Sequence, residues 1–347
     1  MSTKIIAWIL SFLSFFMFWS PNAQPNNIPE TRVSPYGEEL PPDKYGVWPT
    51  QDFTAGKAPD WLKPSKILKK IEKNNNYSWS DGFLVLHKGE IVHEEYFNGY
   101  DKDTPHYMAS VTKSVTSALV GIAVGEGLIG GVQDKVVDYF PDAVIPAGQE
   151  SKKDMTIEHL LTMTSGILCE AEADWNSYFS EDMTDAALWA FLLPQKTAPG
   201  KKFAYDNVAP SILLGIIERT SGQNALDFAR EKLFEPLGMR SVQWDTTADG
   251  LPCGAFGISM TPRDMARFGY LYLNYGRWED KQLLPADWVV KTPPRAMASR
   301  AYGYMFWNYR LEPFSGAYEA NGAGGQFIII QPNCDTVIVR TGDENHD

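Results

Sequence analysis

Strand-like sequence at both ends of the chain, with helix-like sequence between them, is the pattern that most restricts the fold. Near the start, FLVLHKGEIVHEEYF (83–97) predicts a β-hairpin. Near the end, QFIIIQPNCDTVIVRTG (326–342) is rich in β-branched residues and predicts a second hairpin. We expect the two ends to meet in one antiparallel sheet, built from about residues 65–105 and 300–347.

The sequence between these ends has helical spacing for about 120 residues, beginning at Tyr107. Thr156 and Thr261 are predicted helix N-caps, and Gly222 is a predicted helix stop. Pro262 follows Thr261 in the first helical turn, where its missing N–H costs nothing. The predicted fold class is therefore α/β of the α+β kind. An antiparallel sheet is flanked by helices and carries an inserted helical subdomain.

The first 64 residues have a different character from the rest. Residues 5–19 carry no charge and follow Lys4, which predicts a signal peptide (residues 1–23) and an exported, periplasmic or secreted protein. An uncleaved segment that anchors the chain to a membrane is the alternative. Residues 24–64 are rich in proline and predict an extended arm or tether. Residues 65–347 are then the folded domain.

Composition excludes several classes of function. The chain has 347 residues, 44% of them hydrophobic, and a formal net charge of -12. The hydrophobic fraction is enough for a large buried core. Binding to nucleic acid or to an anionic membrane surface needs clustered lysine and arginine, and the sequence shows no such cluster. The five histidines and three cysteines are scattered without metal-ligand spacing, so we expect no metal and no cofactor. A disulfide between Cys169 and Cys253 stays open, with free thiols as the alternative.

The stretch HYMASVTKSVTSALVGIAVGEG (106–127) places Lys113 one helical turn after Ser110 at the start of an apolar helix. Taken alone, a surface lysine near a helix start explains it. The spacing, however, puts the two side chains on one face, roughly 5–6 Å apart at Cβ. Burial and the helix N-terminus would both lower the lysine pKa toward neutrality, so that Lys113 could accept the Ser110 proton. A serine with a lysine base is a known nucleophile arrangement.

Several further segments follow in an order that resembles the serine β-lactamase and penicillin-binding-protein superfamily. They include ASVTKSVTSALVGIAV, DMTIEHLLTMTSGI, FAYDNVAPSILLGIIERTSG, ISMTPRDMARFGYLYLNYGRW and NGAGGQFIIIQP. More narrowly, the chain resembles the branch that holds class C β-lactamases, D-alanyl-D-alanine carboxypeptidases, family VIII esterases and 6-aminohexanoate-dimer hydrolases. The resemblance runs from about residue 70 to the end. It implies a β-lactamase/transpeptidase-like fold and an acyl-enzyme. Family members usually continue into a further helix, and whether this C-terminus is complete stays open.

The resemblance assigns roles to individual residues. It implies that Ser110 is the nucleophile and Lys113 its base. Tyr205 matches the family tyrosine that shuttles a proton to the leaving group, and Asn207 matches the asparagine that orients the acyl side chain or Lys113. A second Tyr-x-Asn pattern begins at Tyr272, which shares a helical stripe with apolar residues and is expected to pack in the core.

A third family element is a tripeptide on a strand that lines the site, and Ala323-Gly324-Gly325 is predicted to occupy its place. Glycine lets a backbone approach a substrate closely. The resemblance implies an oxyanion hole formed by the backbone N–H groups of Gln326 and Ser110. β-Lactamases and carboxypeptidases use a cation or hydroxyl in this tripeptide to hold the substrate carboxylate. Ala323 and Gly324 supply neither, which favours an esterase or small-amide hydrolase.

The segment TSGILCEAEADWNSYF would form part of the pocket wall in this family. Trp175 and Tyr178 are candidate substrate contacts, with aromatic packing as an equal alternative. The predicted function is a serine hydrolase, of carboxylesterase or amidase type, that cleaves a small ester, amide or peptide-like substrate. The alternatives are a β-lactamase or D-alanyl-D-alanine carboxypeptidase, and a non-catalytic penicillin-binding or sensor module.

Overall fold

The computed structural model describes residues 47–75, 79–167, 172–293, 302–308 and 316–342. The predicted signal peptide, the first half of the predicted arm and Cys169 lie outside these residues. Within the described ranges, no helix combines the length and the apolar character needed to cross a bilayer.

The described chain contains a large antiparallel sheet. The strands are β1 (Gly82–His87), β2 (Glu90–Tyr96), β3 (His106–Tyr107), β4 (Gln243–Trp244), β5 (Ile258–Met260), β6 (Arg277–Trp278), β7 (Lys281–Gln282), β8 (Tyr302–Gly303), β9 (Phe306–Asn308), β10 (Tyr318–Gly322), β11 (Gln326–Gln331) and β12 (Thr336–Thr341). Seven of them form the main sheet in the order β2-β1-β12-β11-β10-β9-β8. Gly82 at the start of β1 lies opposite Thr341 at the end of β12. The predicted antiparallel sheet built from both ends of the chain is therefore confirmed.

Both predicted hairpins are present. β1 and β2 are joined at Lys88 (φ 53°) and Gly89 (φ 86°), which both lie in the left-handed region that a tight hairpin turn of this kind requires. β11 and β12 are joined by a short 3₁₀ turn, Pro332–Cys334, followed by Asp335. The β-branched run of β11 is fully buried because both faces of the sheet are covered.

Helices surround this sheet. They are α1 (Pro64–Asn75), α2 (Val111–Gly125), α3 (Ile157–Leu161), α4 (Glu172–Tyr178), α5 (Ala186–Leu192), α6 (Ala209–Ser221), α7 (Ala225–Ala229), α8 (Glu235–Leu237), α9 (Pro262–Leu273) and α10 (Ala286–Lys291). The predicted caps are confirmed. Thr156 accepts from the backbone N–H of His159, and Thr261 accepts from that of Asp264. Gly222 ends α6 in the left-handed conformation, with φ 70°.

Two boundaries differ from the sequence interpretation. Strand structure is predicted from about residue 65, but Pro64–Asn75 form α1, because Ile67 and Ile71 recur at helical spacing and pack against one face of the sheet. The helical pattern is predicted to begin at Tyr107, but His106 and Tyr107 form β3. These two residues precede the apolar run and their backbone pairs with β5 instead, so the helix begins only at Val111.

Two helices link the sheet to the helical part of the molecule. α9 packs on β12, β11 and β1, and α2 packs between α6 and the strands β10 and β11. The side chains of α2 are buried from Val111 to Ala123. A helix that is buried on all sides is held by every layer around it, so the residue at its N-terminus has a fixed position.

The described end of the predicted arm lies against α9. The indole of Trp48 packs on Tyr270 and Trp278, with ring centroids 5.8 and 5.6 Å apart. Arg267 Nε donates to the Pro49 carbonyl oxygen at 2.8 Å. These contacts attach residues 47–50 to the domain.

Candidate active site

Ser110 lies where the chain leaves β3 and enters α2. Ala109, just before it, has φ 44°, a left-handed conformation that is uncommon for a residue with a side chain. Such strain persists where the surroundings determine the backbone, and it is concentrated at functional sites. Ser110 is the N-cap residue of α2, yet its hydroxyl makes no capping hydrogen bond. The hydroxyl is therefore left for other partners.

Lys113 is buried beside it, with only 1% of its surface exposed. Its Nζ lies 3.1 Å from Ser110 Oγ, 2.6 Å from Asn207 Oδ1 and 3.1 Å from the Ala255 carbonyl oxygen. Three acceptors match the three N–H bonds of an ammonium group. When the amine is neutral it keeps two of these bonds and can turn its lone pair to the Ser110 hydroxyl.

Burial lowers the pKa of Lys113 to about 7, although the negative charge of Asp206 acts in the opposite direction. An ordinary lysine is almost wholly protonated at neutral pH. Here a large fraction of Lys113 is neutral at that pH, which is the state that a general base needs. The Tyr205 ring also lies under this amine, with its centroid 4.7 Å from Nζ.

The Tyr205-Asp206-Asn207 segment is fixed by the start of α6. Asp206 Oδ1 accepts from the backbone N–H groups of Val208 and Ala209, at 2.9 and 2.7 Å. Anchored in this way, the residues on either side of Asp206 both reach Lys113. Sequence reasoning gave Asp206 no role, but an aspartate just before an apolar helix is a recognisable cap signal.

Two titratable groups in this segment have shifted pKa values. Burial raises the pKa of Tyr205 above its usual value, while a hydrogen bond with the Ser110 side chain opposes the shift. Tyr205 therefore stays protonated at neutral pH and can pass its proton on. Burial also raises the pKa of Asp206 to about 6, against the lowering effect of its backbone hydrogen bonds and of Lys113.

The position of the glycine-rich tripeptide differs from the sequence interpretation. Ala323, Gly324 and Gly325 form the turn between β10 and β11, not a strand. Gly324 and Gly325 have φ of 77° and 83°, so they are needed for the turn itself. The turn that carries Ser110 (residues 108–110) is called the serine turn. The residue of the glycine-rich region that contacts it is Gly322, at the end of β10. A Cβ added there would overlap the Met108 carbonyl oxygen.

Gln326 is also placed differently from its predicted role as an oxyanion donor. It begins β11 and forms the last pair of the β10–β11 ladder with Gly322, and only 3% of its surface is exposed. Its side-chain amide is bonded to the backbone of Gly342. Ala323 follows Gly322 directly and is partly exposed. The strand tripeptide in contact with the serine turn is therefore residues 320–322, and Ala323 follows it. Three glycines close together in NGAGG concealed this register.

The loop after Cys253 is a part of the site that sequence reasoning missed. The Ala255 carbonyl oxygen accepts from Lys113, and Thr116 Oγ1 holds the same loop to α2 through the Gly254 carbonyl oxygen at 2.8 Å. A backbone acceptor has no residue-type signature, so no sequence signal could have identified Ala255. Phe256 comes next and is partly exposed.

Two groups of aromatic side chains adjoin the residues that contact Lys113. Trp307 stacks on Tyr205, with ring centroids 5.7 Å apart. Phe256, which follows Ala255, packs against Trp175 and Phe179, at 6.1 and 6.0 Å. Trp175 thus lies behind the partly exposed Phe256.

Tyr178 does not take the position of a substrate contact. It is 1% exposed, and its hydroxyl lies 2.7 Å from Ser211 Oγ in α6. Packing in the core, the alternative for this residue, describes its place in the structure. Its position in the sequence next to Trp175 could not separate these two outcomes, because both residues are aromatic and lie on one short helix.

Cys253 is a buried free thiol, and Cys334 is free and partly buried. Cys169, the other cysteine of the possible disulfide, lies outside the described residues. In the part of the chain that the structure describes, no three His, Cys, Asp or Glu side chains are grouped as metal ligands.

Comparisons with known proteins show the family of this chain. The beta-lactamase family model matches residues 80–346, and the chain belongs to this family. A curated relative is the 6-aminohexanoate-dimer hydrolase of Paenarthrobacter ureafaciens. It is 26% identical over 300 residues, which cover 79% of this chain and 75% of that protein.

Solved structures show the same fold. A Bacillus anthracis protein described as a candidate 6-aminohexanoate-dimer hydrolase has a TM-score of 0.69 at 25% identity, over 85% of this chain and 83% of its own. A penicillin-binding-protein homologue from Caulobacter crescentus has a TM-score of 0.65 at 17% identity, over 83% of this chain and 93% of its own. Family membership and these relatives together indicate a hydrolase of the serine β-lactamase fold.

Proposed function

We propose that this protein is a serine hydrolase that cleaves an ester or amide bond of a small substrate through an acyl-enzyme, in the manner of an esterase or a 6-aminohexanoate-dimer hydrolase. The observation that carries the proposal is the buried contact of 3.1 Å between Lys113 Nζ and Ser110 Oγ. The pKa of Lys113 is lowered to about 7, and the Ser110 hydroxyl beside it makes no capping bond. A serine hydroxyl next to such a base is an activated nucleophile.

Acylation follows from these groups. Ser110 Oγ attacks the substrate carbonyl carbon, and its proton passes to neutral Lys113. The developing oxyanion accepts from the backbone N–H of Ser110 and, we propose, from that of Ala323 at the turn beside Gly322. Tyr205, hydrogen-bonded to Ser110, donates its proton to the leaving alcohol or amine and regains one from Lys113.

Deacylation uses the same groups in reverse. A water molecule gives a proton to the neutral Lys113–Tyr205 pair and attacks the acyl carbon. The ester bond to Ser110 breaks, the acid leaves and the serine recovers its proton. No other side chain is required for the proton balance.

The residues of the strand support an esterase or amidase over a β-lactamase or carboxypeptidase. Ala320 and Gly322 share the face of β10 that meets α2, and neither offers a cation or hydroxyl for a substrate carboxylate. Ala323, which follows the strand tripeptide 320–322, also lacks a cation or hydroxyl. The aromatic walls at Trp307 and Phe256 suit an apolar acyl or leaving group.

Kinetics on a small panel test the proposal: p-nitrophenyl esters of varied acyl length, the 6-aminohexanoate dimer, nitrocefin and a D-Ala-D-Ala peptide. We expect short acyl esters to be hydrolysed fastest and a fluorophosphonate probe to label wild type but not Ser110→Ala. Equal labelling of the two proteins would overturn the mechanism. Turnover of nitrocefin ten times faster than any ester would overturn the substrate class.

A further inference from the structure

A buried arginine is hydrogen-bonded to the turn between β10 and β11, which contacts the serine turn. Arg340 lies on β12 and is fully buried. Its Nη1 donates to the carbonyl oxygens of Gly325 and Gly324, at 2.8 and 3.4 Å. Its Nη2 donates to the Trp79 carbonyl oxygen at 2.7 Å. The guanidinium therefore joins the glycine turn (residues 322–326) to the segment before β1.

The arginine is itself oriented by a chain of hydrogen bonds from α1. Arg340 Nε donates to Ser80 Oγ at 2.9 Å, and Ser80 Oγ donates to Glu72 Oε1 at 2.7 Å. A planar guanidinium with donors in fixed directions holds several carbonyl oxygens at defined angles, which a lysine amine cannot do. The charge also strengthens each of these bonds relative to a neutral donor.

Gly342 leaves the space that this arrangement needs. A Cβ added there would lie 2.6 Å from the Trp79 carbonyl oxygen, 2.8 Å from Arg340 Nη1 and 2.9 Å from the Gly324 carbonyl oxygen. The backbone of Gly342 is also bonded to the Gln326 side chain at the other end of the turn. A methyl group at this position would therefore displace the turn or the guanidinium.

The position of the turn matters because of what lies on its other side. Gly322 meets the Met108 carbonyl oxygen, two residues before Ser110. Gly324 and Gly325 are both in the left-handed region, where a backbone without side chains has little stiffness of its own. An external contact is needed to hold Ala323 at one distance from the nucleophile.

We propose that Arg340 is a positioning residue for catalysis. By holding the carbonyl oxygens of Gly324 and Gly325, it sets where the Ala323 N–H points and thereby places the second oxyanion donor. This inference rests on the proposed function. The bonds described for Arg340 go to backbone oxygens and to Ser80, so we expect its loss to act through the oxyanion donor in the transition state and to leave substrate binding nearly unchanged.

The test compares Arg340→Met with wild type on a short p-nitrophenyl ester, well below the temperature at which either protein unfolds. We expect kcat to fall about 10–100-fold, less than the 10²–10³-fold typical for complete loss of an oxyanion donor. KM should stay within about threefold. Arg340→Lys, which restores a donor without the fork, should recover only part of the lost kcat.

The matched control is Arg267→Met, since Arg267 is also buried and donates to a carbonyl oxygen (Pro49) and to Asp264. We expect it to lower Tm as Arg340→Met does, with kcat unchanged. Gly342→Ala is a second variant, which keeps the guanidinium but disturbs its hydrogen bonds to the glycine turn. Together with Arg340→Lys it carries the test if Arg340→Met fails to fold. Both should lower kcat at nearly constant KM.

The outcomes separate the two proposals. Wild-type turnover that depends on Ser110, with kcat of the folded Arg340 and Gly342 variants within twofold of wild type, overturns the role of Arg340 and leaves the proposed function standing. A rise in KM at unchanged kcat also overturns it. Wild-type protein that neither turns over esters nor labels at Ser110 overturns the proposed function, and the role of Arg340 with it.

Discussion

Lys113 and Lys152 are two buried lysines in the helical part of the same protein, and of these two Lys113 contacts a serine hydroxyl. Burial lowers the pKa of Lys113 to about 7 and that of Lys152 to about 8. Each ammonium lies near an aromatic ring, Tyr205 in one case and Phe191 in the other, at 4.7 and 5.6 Å from Nζ. Burial, lowered pKa and contact with an aromatic ring therefore do not distinguish these two lysines.

Their hydrogen-bond partners distinguish them. Lys152 donates to the carbonyl oxygens of Phe191 and Leu193 at the end of α5, at 2.8 and 2.6 Å. Those carbonyl oxygens accept hydrogen bonds but carry no proton that a base could take. Lys113 contacts the Ser110 hydroxyl, which does carry such a proton. A lowered lysine pKa therefore indicates burial, and only the chemistry of the partner indicates catalysis.

The largest expected effect separates the two lysines by activity. Lys113→Met removes the base, and we expect kcat/KM for a p-nitrophenyl ester to fall at least about 10³-fold, since a nucleophile and its base act as a unit. Lys152→Met, the matched control, should stay within about twofold of wild type. Comparable losses in two folded variants would show that the contact with Ser110 is not what distinguishes these lysines.

A second test concerns the rings beneath the two amines. Tyr205→Phe keeps the ring near Lys113, as Phe191 lies near Lys152, and removes only the hydroxyl. We expect kcat to fall about 10²-fold, because the proton shuttle to the leaving group is lost. Steady-state kinetics with leaving groups of different pKa measure this. The loss should grow as the leaving group becomes more basic, and a loss independent of the leaving group would contradict the shuttle.

A third test measures what Lys152 does. Lys152→Met leaves the carbonyl oxygens of Phe191 and Leu193 without their donor, and we expect a loss of about 1–3 kcal/mol in the free energy of unfolding at pH 7. The cost of burying the ammonium is fully present below pH 8. It disappears as the pH rises from the folded pKa of about 8 toward the unfolded value of about 10.4.

The free energy of unfolding of wild type therefore rises across that range, whereas that of Lys152→Met does not. The stability deficit of the variant should be larger at pH 10 than at pH 7. Urea denaturation at both values gives the comparison. A deficit that shrinks at high pH would mean that the folded pKa of Lys152 lies above its unfolded value, which would contradict burial of the ammonium.

The smallest expected effect is a change in pH dependence. Because neutral Lys113 is the base, kcat/KM should rise with pH through a midpoint of about 7. The Asp206 carboxylate raises the pKa of Lys113, so Asp206→Asn should move the midpoint down by about half to one unit. Asn207→Asp adds a negative charge 2.6 Å from Nζ and should move it up. Shifts in the same direction for both variants would contradict an electrostatic origin.

The order of motifs along the chain was informative for the site. Spacing and a resemblance point to four residues: Ser110, Lys113, Tyr205 and Asn207. The structure brings these four together, although 94 positions separate Lys113 from Asn207. Their roles remain predictions. Alternation and β-branching were equally informative for the hairpins at the two ends, because each is a local pattern that reports one buried face.

What sequence could not supply is contact made through the backbone. The register of NGAGG depends on which glycines take φ of 77° and 83° and which one meets Met108, and all glycines look alike in a sequence. The Ala255 carbonyl oxygen likewise depends on the loop that carries it. Whether Trp175 or Tyr178 faces a pocket or the core is decided by tertiary packing, which aromatic composition does not encode.

The missing side chain at Gly322 divides the site into a fixed part and an adjustable part. The serine turn and the β10–β11 hairpin contact each other through main-chain atoms. A side chain at position 322 would therefore force these two segments apart. The aromatic walls have no such restriction, since Phe256 and Trp307 are partly exposed and can be exchanged without moving the backbone. Redesign of the substrate range should therefore vary the walls and leave position 322 alone.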